Sequence, residues 1–303
     1  MGGLFVSVYP RDMIGYGATL PDPKWPNGAR IALQFVVNYE EGAENSVLHG
    51  DAGSEAFLSE MVGTKPIMGE RCMQMESLYE YGARAGFWRL YRLFQQAGFP
   101  VTVFGVALAL ARNPDVVAAM KEARWEIASH GLRWIDYQHI PEDIERAHIR
   151  EAIALHEQVT GSRPQGWYQG RTSPQTARLA MEEGPFIYDA DSYADDLPYY
   201  RDINGAAQLI VPYTLDVNDM KFAALNGFTE GEQFFHYLRD NFDQLYAEGG
   251  RMMSVGLHCR LAGKPARARA LAKFIEHVQR HEDVWIATRL DIAQHWLTHF
   301  PAR

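Results

Sequence analysis

Several polar residues stand where apolar runs end, and their types suit hydrolysis. The run from Ile31 to Val37, apolar except for Gln34, gives way to Asn38, Tyr39, Glu40 and Glu41. Two adjacent carboxylates beside an apolar run are costly unless paired, hydrated or used. A carboxylate can activate water, an imidazole can protonate a leaving nitrogen, and an amide or guanidinium can hold carbonyl oxygens. Each type recurs at the end of a later run. EIASH ends in His130, followed by Trp134. GWYQG ends in Gln169 and then Arg171. FIYDAD ends in Asp189 and Asp191, and MMSVGLH ends in His258. One strand-end histidine is commonly structural, but five such endings on one rim point to a site, because a barrel has a single C-terminal face. Glu40, Glu41, His130 and His258 are the candidate catalytic groups. Asn38, Trp134, Gln169, Arg171 and Asp191 are the candidate substrate contacts.

The elements that must position these residues alternate. Ala29 to Val37 is a β-branched apolar run that reads as a strand buried on both faces. Further strands are expected at 101–107, 126–130, 166–170, 186–191, 209–214, 252–258 and 284–288. Helical spacing predicts helices over 84–96, 113–123, 141–161, 173–184, 265–281 and 290–300. In the third of these, Ile144, His148, Ala152, Leu155 and Val159 form the expected buried stripe. Thr229 and Glu232 predict a capping box opening another helix that runs to about Ala247. The alternation implies an α/β fold with about seven parallel strands, closed into a distorted (β/α) barrel. No glycine fingerprint for a dinucleotide accompanies it. One catalytic domain spans the 303 residues, with an irregular Gly/Pro/aromatic arm over 1–28, an insertion over 43–83 and a polar loop over 192–208.

Composition excludes some classes. The formal charge of −9 and the lack of a basic run argue against a nucleic-acid partner. No apolar stretch reaches the length of a membrane span. No signal-peptide pattern opens the chain, and Cys72 and Cys259 form no CxxC pair, so a reducing cytoplasm is the expected setting.

The order of these strand ends resembles the polysaccharide deacetylase superfamily. Asn38-Tyr39-Glu40-Glu41 falls on its Thr-Phe-Asp-Asp motif, and His130 to Trp134 on its His-Ser/Thr-x-x-His motif. Arg171-Thr172-Ser173-Pro174, Asp189 to Asp196, and Leu257-His258 match its later motifs. In metal-dependent members the second acidic position and both histidines hold the metal. Here Glu41 and His130 remain, but Trp134 occupies the second histidine position. An indole nitrogen is only a donor, and a catalytic zinc wants three protein ligands, so no bound metal and no other cofactor is expected. His139 lies nearby in sequence, but nothing places it in the site.

The substituted pattern is similar to one branch, the metal-independent allantoinases. YPRDMIGYG, WPNGARIALQFVVNYEEGAEN, YGARAGFWRLYRLF and SHGLRWIDYQ carry the likeness. It implies hydrolytic opening of the hydantoin ring of allantoin to allantoate, by a cytosolic homo-oligomer, a tetramer among its options. Glu40 then takes the base position, with Glu41 beside it, and His258 acts as acid or oxyanion donor. His130 orients the water or Glu41, and Arg171 holds substrate carbonyls or fixes Asp191. The rivals are a metal-dependent N-acetyl-sugar deacetylase, which needs a histidine where Trp134 stands, and an inactive carbohydrate-binding barrel.

Overall fold

The computed structural model describes residues 9–302, so the start of the arm lies outside the described residues. The first core strand, β1 (Ile31–Tyr39), is buried along its whole length. On one side it pairs in parallel with β8 (Arg251–His258), from Ile31 opposite Arg251 to Asn38 opposite His258. On the other side its first half pairs with β9 (Val284–Ile286) and its second half with β2 (Thr102–Gly105). The sheet continues through β3 (Glu126–Ser129), β4 (Gly166–Trp167), β5 (Tyr188–Asp189) and β7 (Ala206–Ile210), all parallel. Seven parallel strands thus follow one another along the path, with β9 off it. A single parallel bridge, Asn218 to Gly256, links the chain after β7 back to β8. The result is a half-barrel, as the alternating pattern implies.

Strand residues alternate between two cores, because side chains on a strand have a period of two. Ile31, Leu33, Phe35, Val37 and Tyr39 face outward, into the helix-packed cluster with Phe94, Leu271 and Phe274. Ala32, Val36, Phe104, Ala128, Tyr168 and Met252 form the inner cluster. Gln34 belongs to the inner face and accepts a 2.6 Å hydrogen bond from Arg289, at the start of α9 (Arg289–His299). Arg289 also donates to Ser254 Oγ and to the carbonyls of Val211 and Pro212, so its buried charge is well solvated by oxygen. By the same parity, Asn38, Glu40, His130 and His258 continue the inner face above this plug.

Several elements depart from the sequence reading. The 43–83 stretch ends in helix, and the next helix joins it without a break: α1 (Met73–Tyr81) runs through a π-helical segment, Gly82–Gly86, into α2 (Phe87–Ala97). The expected polar loop over 192–208 holds a hairpin, in which β6 (Tyr199–Ile203) pairs antiparallel with β7. An unexpected short helix, α3 (Ala107–Arg112), follows β2, while α4 (Pro114–Glu122), α5 (Glu142–Thr160) and α6 (Thr176–Glu183) fall where helices are expected. The buried stripe of α5 is Glu145, Ile149, Ala152, Ile153, His156 and Thr160, turned from the expected one, and Ile144 is exposed. Its register is set by Glu145, whose carboxylate accepts from Ser173 and Thr176 at the mouth of α6. No capping box opens α7 (Gly231–Glu248): Glu230 is the N-cap, and Thr229 bonds Gln233 instead of Glu232.

The π segment matters because its first and last residues, both glycines, pack against the rim. A Cβ on Gly86 would come within 1.9 Å of the Cys259 carbonyl oxygen, a backbone atom that cannot swing aside. Gly86→Ala should therefore force α2 away from the chain after β8 and destabilise the fold by about 1–3 kcal/mol. Thermal unfolding checks this, and an unchanged Tm would contradict the packing.

Candidate active site

Glu40 is the centre of the rim. Its Oε1 lies 3.4 Å from His130 Nε2 and 3.5 Å from His258 Nε2. Its Oε2 lies 2.7 Å from Arg260 Nη1. All four side chains are nearly sealed from solvent, Glu40 and Arg260 at 1% exposure. Burial alone would push the Glu40 carboxyl up, but the charges of Arg260 and His258 outweigh it and hold it well below the usual carboxylate range. The group is an anion at neutral pH.

His258 is fixed from behind. Its Nδ1 lies 2.6 Å from Asp219 Oδ1, and its backbone N–H donates to Asp219 Oδ2. Asp219 also accepts from the Ala262 N–H and is itself fully buried. Burial disfavours the imidazolium, yet the Asp219 and Glu40 charges more than offset this and raise the His258 pKa to about 9. With Nδ1 donating to Asp219, the Nε2 proton faces Glu40.

Glu41 does not join this group. It lies on the outward parity of Tyr39, and its Oε2 accepts the Glu40 backbone N–H at 3.0 Å. A Cβ on Gly82 would meet Glu41 Oε1 at 2.3 Å, so the carboxylate packs against the π segment. Burial pushes its pKa up, Arg260 pulls it down, and the Glu40 charge adds to the rise, leaving it at about 7. The expected pairing of His130 with Glu41 is thus corrected: His130 faces Glu40.

The remaining candidates divide. The Asn38 amide donates to Tyr213 Oη and to the Leu257 carbonyl, so both its protons are spent on the barrel. Gly256 permits this crossing, since a Cβ there would meet Tyr213 Oη at 2.5 Å. Gln169 packs against Gly131, and its buried Nε2 has no partner among the described residues. Asp191 accepts the backbone N–H groups of Gln169 and Gly170 rather than any guanidinium. Burial and the neighbouring Asp189 push its pKa well up, while Asp189 takes the ion pair with Arg201. Arg171 does not fix Asp191; it lies 3.5 Å from Glu55. Trp134 is buried, stacked on Phe57 at 5.8 Å, with the guanidinium carbons of Arg171 and Arg260 5.1 and 5.2 Å from its ring centre. His139 is exposed, away from these residues.

A cover from the insertion closes the rim. Glu55 orders it by accepting from Asn45, Ala56 and Phe57. Phe57 lies on Trp134, the Leu58 carbonyl accepts from Arg260, and Glu60 pairs with Arg267. Glu55, Phe57 and Arg171 also line a cleft of about 460 Å³.

The side chains that hold a metal in metal-dependent members do not fit one here. Trp134 offers no lone pair, Glu41 turns outward, and the Arg260 guanidinium, 2.7 Å from Glu40 and 3.9 Å from Glu41, brings a fixed positive charge to these carboxylates.

The polysaccharide deacetylase family model matches residues 73–181. A Schizosaccharomyces pombe protein assigned to the polysaccharide deacetylases is 42% identical over 316 residues, covering 96% of this chain and 98% of that protein. The chain belongs to the polysaccharide deacetylase family. Two solved structures are each 57% identical, cover 97% of this chain and superpose with a TM-score of 0.95. One is a probable polysaccharide deacetylase of Pseudomonas aeruginosa PAO1, covered over its whole length, and the other is PuuE allantoinase, covered over 99%. The chain is thus a hydrolase-family barrel with the family's sheet and helices.

Arg260 and Asp219 were missing from the sequence-derived set. Arg260 had a signal, since it is a cationic residue only two positions beyond the strand-end His258. Asp219 had none, because it comes from a 3-10 turn, Asp219–Ala223, at the barrel seam.

The raised His258 pKa has a definite sign. Its stabilisation is complete below the unfolded value near 6.5 and is lost as pH rises through about 9. Asp219→Asn should lower the His258 pKa by a unit or more, roughly, in a proton NMR titration of the ring. A value still near 9 would show that Asp219 does not hold the imidazolium.

Proposed function

We propose that the chain opens the hydantoin ring of allantoin to allantoate without a metal. The observation that carries this reading is the Glu40–Arg260 contact. It supplies an ionised carboxylate and a fixed cation at the rim, beside Trp134 where metal-dependent members place a histidine. The likeness to PuuE allantoinase over 97% of the chain supports the substrate.

The residues divide the work. Glu40 Oε1, between the two imidazoles, accepts a proton from water as the water oxygen attacks a ring amide carbonyl. Position decides this assignment ahead of acidity: Glu41, at about 7, has the better-matched pKa but packs against Gly82. His258, protonated at neutral pH, delivers its Nε2 proton to the departing ring nitrogen as the C–N bond breaks. Asp219 keeps Nδ1 donating and stabilises the imidazolium throughout, as an orienting carboxylate does in other hydrolases. The water hydroxyl ends on the carbonyl carbon, Glu40 passes its proton to His258, and the new carboxylic acid loses its proton to solvent, so the products are a carboxylate and a free ureido amine and both side chains regain their starting charges. Arg171 and the unpartnered Gln169 Nε2 supply donors for the substrate's carbonyl oxygens. Since the cover seals the rim, substrate enters when residues 55–59 lift. A cytosolic homo-oligomer is part of the same proposal. The exposed Ile14, Met13 and Met68 on the arm and insertion favour association of like chains.

Incubation with allantoin should yield allantoate. Glu40→Gln should lower kcat about 10²–10⁴-fold with the fold intact, measured by allantoate formation and circular dichroism. Near-normal turnover by that variant would remove Glu40 as the base. Release of acetate from an N-acetyl sugar, with no allantoate formed, would favour the deacetylase reading.

A further inference from the structure

The outer surface carries a second set of converging ligands, unrelated to the rim. α7 and α8 (Pro265–Val278) pack side by side, burying Phe234, Leu238 and Phe242 from one and Leu271, Phe274 and Ile275 from the other. At the solvent edge of this pair, Asp243 of α7 meets His277 of α8 and His281 just past its end. One ligand atom from each lies within 4.8 Å of the others. Asp243 Oδ1 is 2.6 Å from His277 Nε2, and the two imidazole centroids are 5.0 Å apart.

The rings are held in place. His281 Nδ1 bonds the His277 carbonyl at 3.1 Å, which leaves its Nε2 free to face a ligand. Phe242 packs edge-on against both imidazoles, at 5.8 and 5.1 Å, and Tyr246 against His281 at 4.9 Å. An ordinary surface ion pair accounts for Asp243 and His277 but not for the third, oriented imidazole. Two imidazoles and one carboxylate match a borderline divalent ion such as zinc, whereas calcium and magnesium prefer all-oxygen sets.

We propose that Asp243, His277 and His281 bind a zinc-class divalent ion that clamps α7 to α8. The ion replaces the proton shared by His277 and Asp243, which leaves to solvent, and water completes its coordination. Because α7 packs on β8, the clamp supports the strand that carries His258. It leaves the chemistry at Glu40 untouched.

The test is calorimetric titration of the metal-stripped full chain with zinc chloride, paired with thermal unfolding. About one zinc per chain should bind and raise Tm. His281→Gln, just past the end of α8, and Asp243→Asn, at the surface of α7, should keep the helical circular dichroism and basal activity while losing zinc binding and the Tm rise. No zinc uptake by the unaltered chain would overturn the proposal. Equal uptake and equal Tm rise in His281→Gln would do so too, because the ion would then lie elsewhere.

Discussion

The buried contact between Glu40 and Arg260 is the constraint on which the rim depends. A carboxylate and a guanidinium at 1% exposure each lose hydration worth several kcal/mol, and their mutual attraction must offset that loss. The pair closes at 2.7 Å with two imidazoles on the opposite carboxylate oxygen. The Arg260 guanidinium also lies over the faces of Tyr79 and Trp134, where the ring quadrupoles favour a cation. Removing either charge would strand the other, so the pair sets the protonation state of the whole group. Glu40 is kept ionised and His258 is kept charged, while burial pushes Glu41 toward neutrality against the pull of Arg260.

Holding Arg260 there requires close backbone packing. The chain from Cys259 to Gly263 lies against the π segment, and a Cβ on Gly263 would meet Gly86 Cα at 2.4 Å. A π-helical segment of this kind is common at functional sites because it resets the direction of a helix locally. Here the reset brings Gly82 onto Glu41 and Gly86 onto the Cys259 carbonyl. It packs against the outward-facing Glu41 and leaves Arg260 directed at Glu40. The same helix supplies Tyr79, so one distortion places both the wall beneath Arg260 and the stop that holds Glu41.

Most of the architecture was legible because strand ends and helical spacing follow the backbone periods. The parity of β1 identifies which side chains reach the lumen, and it separates Glu40 from Glu41 once the strand is extended by two residues. Other features depend on distance in sequence. Asp219 reaches His258 across 39 residues, and Glu55 captures the Arg171 that the motif order suggested for Asp191. The hairpin of β6 and β7 was hidden by polar residues, because an edge pair with one solvated face needs few apolar side chains. The role of Trp134 was half visible: its chemistry rules out a ligand bond, but only the fold brings two guanidiniums over it.

In the proposed reaction the Arg260 guanidinium sets the ionisation of Glu40 for water activation. The pH dependence of kcat/KM for ring opening, compared between the unaltered chain, Arg260→Lys and Arg260→Gln, tests it most directly. An acidic limb below the usual carboxylate range is expected for the unaltered chain, with a small upward displacement in Arg260→Lys and a large one in Arg260→Gln. An acidic limb at the same pH in all three proteins would contradict it.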